Sequence, residues 1–223
     1  MRILALETAT DVGSVALLRD EELEAHFSSV RRNSLSRNLV KAVDFVLSAL
    51  DLSGADVDAI AVSIGPGSYT GLRIGLSVGK GLAFGWEKPL LAVNSLDALA
   101  EQGRGVDRLI VPVIRFRRDE YYTAFYGWDG EQIIRHSGYR VARFAELLEE
   151  THEPALVIGI LRPEDAQLLM QYAEAEQWLY LPEKRPSAYF VGRLAAKNLR
   201  SGVVENVQSL TPFYMHDFPV QKG

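Results

Sequence analysis

The chain contains no cysteine, which excludes disulfide bridges and thiolate metal ligands and is compatible with a reducing compartment. Histidine is scarce and scattered: His26, His136, His152 and His216 each lack a second ligand-type residue at a helical metal spacing such as H-x-x-x-H. No metal site is expected. No run of about 18 apolar residues is present and the sequence opens directly on the strand-like MRILALE, so neither a membrane span nor a signal peptide is expected and the protein is placed in the cytoplasm. A basic excess is missing as well. Lys and Arg number 24 against 29 Asp and Glu, a formal net charge of −5, which argues against a large nucleic-acid footprint because phosphate contacts need clustered cations. Indirect work on RNA stays open.

What the sequence has in abundance, over one short stretch, is glycine. Residues 59–64 (AIAVSI) read as a buried strand, Gly65-Pro66-Gly67 as a turn, and a helix starts near Thr70 with glycine at 71, 75 and 79. Those three share one helical face. Each costs roughly 1 kcal/mol against alanine inside a helix, so something must press closely on that face.

Before this stretch, residues 2–8, 14–19 and 23–30 read as three strands in two hairpins. The hydroxyl-rich turn at 8–14 has two readings, a phosphate contact through backbone N–H groups or a polar hairpin turn. Residues 34–50 read as a helix, capped by Ser34 or Ser36, with a buried stripe of Leu35, Leu39, Ala42, Val43, Val46 and Leu50. Val40, Phe45 and Leu47 fall outside that stripe, so a second contact is implied, made by a partner or by another part of the chain. A strand at 90–93 completes a βββαβαβ order. A short helix capped by Asn94 or Ser95 follows, then a linker at 104–106 that marks a lobe boundary. Beyond it lie a hairpin (108–115 and 121–128), a strand at 132–141, a helix at 144–150, a strand at 155–160, helices at 163–177 and 188–200, and a tail at 211–223 without periodicity.

Catalytic signatures are absent. Ser63, Ser68 and Ser77 lack the G-x-S-x-G elbow. Gly65, Pro66, Gly67, Ser68 and Thr70 form a candidate ligand loop, because a helix N-terminus offers free N–H donors. It is not a P-loop, since Arg73 rather than Lys follows Leu72, and Ser68 and Thr70 serve equally well as caps. Arg115, Arg117 and Arg118 with Tyr121, Tyr122 and Tyr126 read either as a cationic and aromatic patch for a nucleic acid or as a solvated hairpin with at least one tyrosine pair in the core.

ALETAT at 5–10, SVALL at 14–18, AIAVSIGPGSYTGLRIGLSVGKGLAF at 59–84, NSLDALA at 94–100 and RRDEYYTAFY at 117–126 together resemble the bacterial TsaB (YeaZ) family. GPGSYTGLR with its glycine helix is the most specific part. The sequence departs from the family pattern at Glu7 and Ala9, at Asn33, at Arg115 and at His216. The resemblance implies an actin-like, ASKHA-type (RNase H-like) two-lobed α/β fold with mixed sheets. Residues 1–103 would form the βββαβαβ lobe and 104–223 a smaller α/β lobe, the last helix packing back on the first. It also implies a non-catalytic scaffold or dimerisation subunit of the complex that transfers a threonylcarbamoyl group to the adenosine beside the anticodon of tRNA. The partners would be the TsaD paralogue, which this chain activates, and the ATPase TsaE. ATP and metal would sit on those partners, with no cofactor here and tRNA reached only through the complex. The partner interface would comprise Ser36, Val40, Val43 and Leu47 on the first helix and Gly71, Ile74, Gly75, Val78, Gly79 and Leu82 on the glycine helix, a face that also suits a homodimer. Two other readings are carried: an ATP-dependent small-molecule kinase with its cleft lined by 8–14 and 65–70, for which no Asp stands as base, and metal-dependent proteolysis, for which no paired ligands exist.

Overall fold

The computed structural model describes residues 1–30 and 35–215, without the side chains of 35–37 and 173–176. Strands β1 (Arg2–Glu7), β2 (Gly13–Arg19) and β3 (Glu22–Ser29) form an antiparallel meander. Helix α1 (Leu35–Ser48) leads to β4 (Ala59–Gly65), and α2 (Tyr69–Gly85) to β5 (Leu90–Asn94). Both strands join parallel on the other side of β1, so the sheet order is β3-β2-β1-β4-β5. That is the βββαβαβ order expected.

Helix α3 (Ser95–Ala100) is capped by the Asn94 side chain, which accepts the Leu96 N–H over 2.8 Å. Then come β6 (Leu109–Arg117), β7 (Glu120–Thr123), β8 (Tyr126–Trp128), β9 (Ile133–Arg135), β10 (Arg140–Arg143), α4 (Phe144–Glu150), β11 (Ala155–Gly159), α5 (Pro163–Glu176), β12 (Leu179–Leu181) and α6 (Ala188–Arg200). The second sheet runs β10-β7-β6-β11-β12, with β8 and β9 branching from β6. The stretch expected as one strand at 121–128 breaks after Thr123, because the Phe125 backbone turns to pair elsewhere. Its N–H donates to the Ser137 hydroxyl over 2.9 Å and its carbonyl accepts from His136 N over 2.7 Å. The single strand expected at 132–141 divides at that same place. Strand β12 went unread in the sequence.

Strand β1 is apolar at consecutive positions because both faces of its sheet are covered. Leu4 and Leu6 pack with Val15, Leu17 and the α1–α2 layer, whereas Ile3 and Ala5 pack with Ala16, Leu18 and the small face Ala188, Val191, Ala195 and Ala196 of α6. The last helix therefore lies on the first sheet. Helix α3 is the tie between sheets: Ala98 belongs to the α6 layer, while Leu96, Leu99 and Ala100 pack on Ile110, Ile114, Tyr122 and Tyr126 of the second sheet. Asp97 strengthens that tie by accepting the Tyr126 hydroxyl over 2.7 Å and the Tyr139 hydroxyl over 2.8 Å. Burial raises the Asp97 carboxyl above its ordinary range, and the two tyrosine hydroxyls oppose the shift.

Candidate docking face and ligand loop

Helix α2 carries two rows of small residues, and the structure turns one of them inward. A Cβ at Gly71 would lie 2.0 Å from the Thr8 carbonyl oxygen, one at Gly75 2.2 Å from Thr8 Oγ1, and one at Gly79 2.2 Å from Val62 Cγ1. The expectation that Gly71, Gly75 and Gly79 face a partner helix is therefore corrected. They let α2 press on β1 and β4 of its own sheet, which is the close approach that glycine permits and any side chain blocks. Val43 and Leu47, expected at the same interface, are 3% and 5% exposed and belong to the first core. The alternative cover, by the chain itself, is what these positions have. Of Ser36 only the backbone is described, and the caps weighed at Ser34 and the departures at Asn33 and His216 lie outside the described residues.

A second row remains outward. Gly81 and Gly85 have no heavy atom within 4 Å of a built Cβ, and Arg73, Ser77 and Gly81, at i, i+4 spacing, are all exposed. Phe84 is 82% exposed on this side. Ile74, Val78 and Leu82 are half-buried, their inner atoms against the first core. On α1, Val40 and Phe45 are 56% and 61% exposed, with Phe45 in edge contact with Phe27 at 5.8 Å. The two helices thus carry large apolar side chains in the open, and on α2 Phe84 stands one turn from Gly81, where a second helix can approach. Of the ten interface positions expected from sequence, Val40, Ile74, Val78 and Leu82 retain exposed surface. Sequence reading missed Phe84, Gly81 and Gly85, whose signal was the second glycine row four residues apart in KGLAFGW.

The candidate ligand loop is held by its own chain. Ser68 caps α2, its hydroxyl accepting the Gly71 N–H over 3.2 Å, while its own N–H donates to the Ala9 carbonyl over 2.6 Å. Gly67, at φ +158, allows that approach, since a Cβ there would lie 2.2 Å from the Ala9 oxygen. The Gly65–Pro66 peptide is cis. Gly65 and Pro66 are buried, and Ser68 and Thr70 are exposed. Residues 203–215 run from the start of β5 back to the loop end of the sheet: Glu205 bridges to Leu90, Lys80 Nζ donates to the Gln208 carbonyl, and Phe213 N donates to the Ile64 carbonyl over 2.8 Å. Tyr214 then stacks on Tyr69 with ring centres 5.1 Å apart and accepts from Arg73 Nε over 3.0 Å.

Beneath the loop, Glu7 is wholly buried. One carboxyl oxygen accepts the Ala9 N–H over 2.5 Å and the other has no hydrogen-bond partner among the described residues. Desolvation pushes this carboxyl up to about 7, against the pull of its hydrogen bonds from Ala9, Ser63 and Thr8. In the neighbouring turn, Asp11 pairs with Arg185 over 3.0 Å and the Val12 N–H faces the Thr10 hydroxyl, so this turn satisfies itself as a polar hairpin does. No cluster of three or more metal-type ligands exists among the described residues. The cationic and aromatic patch weighed at the second hairpin does not form, because Tyr121, Tyr122 and Tyr126 are all buried and Arg117 pairs with Glu120.

A family model described as "TsaD: tRNA N6-adenosine threonylcarbamoyltransferase" matches residues 29–218. The tRNA threonylcarbamoyladenosine biosynthesis protein TsaB of Bacillus subtilis is 36% identical over 162 residues, 71% of either chain. This chain belongs to the TsaB (YeaZ) family. The solved structure of YeaZ from Pseudomonas aeruginosa superposes with a TM-score of 0.77 at 25% identity, covering 96% of this chain and 99% of that one. The activator of 2-hydroxyisocaproyl-CoA dehydratase from Clostridium difficile, at 7% identity and a TM-score of 0.51 over 92% of this chain and 99% of its own, shares the fold alone. The fold is thus the actin-like, ASKHA-type α/β fold. No helix among the described residues is long and apolar enough to cross a membrane.

Proposed function

We propose that this chain is a non-catalytic subunit in the biosynthesis of threonylcarbamoyladenosine in tRNA, and that it docks a TsaD-type paralogue through the outward face of α1 and α2. The observation that carries the reading is the exposure of Phe84 one turn from the open Gly81 on α2, together with the exposure of Val40 on α1, the helix that packs against α2. Large apolar side chains left in water beside a small-residue row cost nothing once a second helix covers them, and their burial supplies the association. The state of the two carboxylates beside the loop supports a scaffold role: Asp11 is tied to Arg185, and Glu7 is wholly buried. ATP and metal belong to the partner subunits in this reading, tRNA is reached through the complex in the cytoplasm, a TsaE-type ATPase completes it, and the same face forms a homodimer when the paralogue is missing. Residues 1–103 and 104–223 act as the two lobes.

The test is co-purification with the TsaD-type paralogue of the same organism, followed by reconstitution of tRNA threonylcarbamoylation with and without this chain. Loss of modification on omission supports the role. Unchanged modification overturns it.

A further inference from the structure

Near the first turn of α2 a cation is held in a fixed pose with no carboxylate opposite it among the described residues. The Arg73 guanidinium lies over the Tyr69 ring at 3.9 Å, and its Nε donates to the Tyr214 hydroxyl over 3.0 Å. Tyr214 is itself stacked on Tyr69. Several other surface arginines are paired with carboxylates, Arg117 with Glu120, Arg140 with Glu150 and Arg200 with Glu21. Arg73 has aromatic partners on its flank and no carboxylate partner among the described residues. Its Cα lies on the row that continues through Ser77 to Gly81, the outward side of the helix.

We infer that Arg73, clamped by Tyr69 and Tyr214, is a preformed anchor for an acidic side chain of the paralogue that covers the α1–α2 face. The inference rests on the proposed docking reading and deepens it by naming the polar anchor at the edge of the apolar face. Three physical points carry it. A guanidinium offers a planar fork that fits a carboxylate bidentately, as an ammonium does not. Stacking and one hydrogen bond fix its direction beforehand, so little side-chain freedom is lost on binding. Tyrosine and arginine beside an apolar patch are also the residue types that concentrate binding energy. The tail thereby acquires a task in recognition: Tyr214 is distant in sequence from α2 yet sets the pose of its cation.

The test measures the affinity of the full chain for the purified paralogue at low and high salt. Arg73→Ala is expected to weaken binding by about tenfold at low salt and to flatten the salt dependence. Arg73→Lys restores the charge without the fork and recovers only part of the loss. Tyr214→Phe, which keeps the stacked ring and removes only the hydroxyl, weakens binding by about threefold with an unchanged thermal midpoint. Phe84→Glu serves as the control for the docking reading itself. If Phe84→Glu abolishes binding while Arg73→Ala and Tyr214→Phe leave it intact, the anchor is overturned and the docking face stands. If Phe84→Glu also binds normally, the docking reading fails first. An Arg73→Ala protein that binds the paralogue normally but retains less tRNA in the assembled complex assigns the guanidinium to a phosphate and overturns the inference.

Discussion

Thr8, just past the end of β1, donates its hydroxyl to the Gly71 carbonyl oxygen in the first turn of α2 over 2.8 Å. The same hydroxyl lies 2.2 Å from where a Cβ on Gly75 would stand. One buried threonine thus fixes both the rotation and the height of the helix that carries the open Gly81 and the exposed Phe84.

Glycine substitutions on the two rows of α2 should therefore have opposite effects on stability. Gly71→Ala places a methyl group 2.0 Å from a backbone oxygen that cannot swing aside, so destabilisation of about 1–3 kcal/mol is expected. Gly81→Ala meets nothing within 4 Å and should stabilise the helix by about 0.5–1 kcal/mol. Urea titration of the isolated protein checks both signs. Gly81→Ala should nonetheless bind the paralogue less well, because the added methyl stands where a partner helix approaches.

Charge placed on the open face should break association and spare the fold. Phe84→Glu and Val40→Glu alter side chains that are 82% and 56% exposed, so unfolding midpoints should move by no more than about 0.5 kcal/mol. Size-exclusion chromatography with the paralogue should show free subunits. Co-elution at wild-type strength by both variants would remove the α1–α2 face from consideration.

Glu7 gives the protein a pH dependence with a definite sign. Its folded-state value, about 7, lies above the ordinary 4.5, so the folded chain holds a proton that the unfolded chain releases. Stability is fully present below about pH 4.5 and is lost as pH rises to about 7, by on the order of 3 kcal/mol. Glu7→Gln keeps the shape and cannot ionise, so its stability curve should be flatter over that window. Thermal melts of both proteins between those pH values decide the matter; parallel curves would mean that Glu7 is not the group responsible.

Removal of the Asp97 carboxylate should loosen the join between the two sheets. Asp97→Ala leaves the Tyr126 and Tyr139 hydroxyls without their acceptor, at a cost of about 1–3 kcal/mol for each stranded buried donor. Tyr126→Phe and Tyr139→Phe made together with Asp97→Ala should recover part of that loss, because no stranded group then remains. A double-mutant cycle by chemical denaturation measures the coupling.

The periodic parts of the chain were legible. Of the stripe on α1, Leu39, Ala42, Val43 and Val46 lie in the first core as their spacing requires, Leu50 is exposed beyond the end of the helix and the Leu35 side chain lies outside the described residues, while Tyr121 faces the opposite side of its sheet from Tyr122 and Tyr126. Glycine was legible as a demand for close approach and illegible as to which neighbour makes it. Gly71 and Gly81 are the same letter in the same helix, and what sorts them is Thr8 and Val62, which no local pattern connects to either. The Tyr214 clamp was hidden for a related reason. Its partner stands 141 residues away, and the tail has no periodicity in which a single long-range contact could register. Phe84 was overlooked because an exposed phenylalanine in an apolar helix reads as one more core position.

Because the strap at 203–215 supplies Phe213 to the end of β4 and Tyr214 to the first turn of α2, this end of the glycine helix is finished by residues that leave the ribosome after both sheets. A nascent chain can build its first sheet and lay the glycine helix upon it, yet Arg73 stays unaimed until position 214 emerges. A chain cut before position 214 lacks the hydroxyl that aims Arg73.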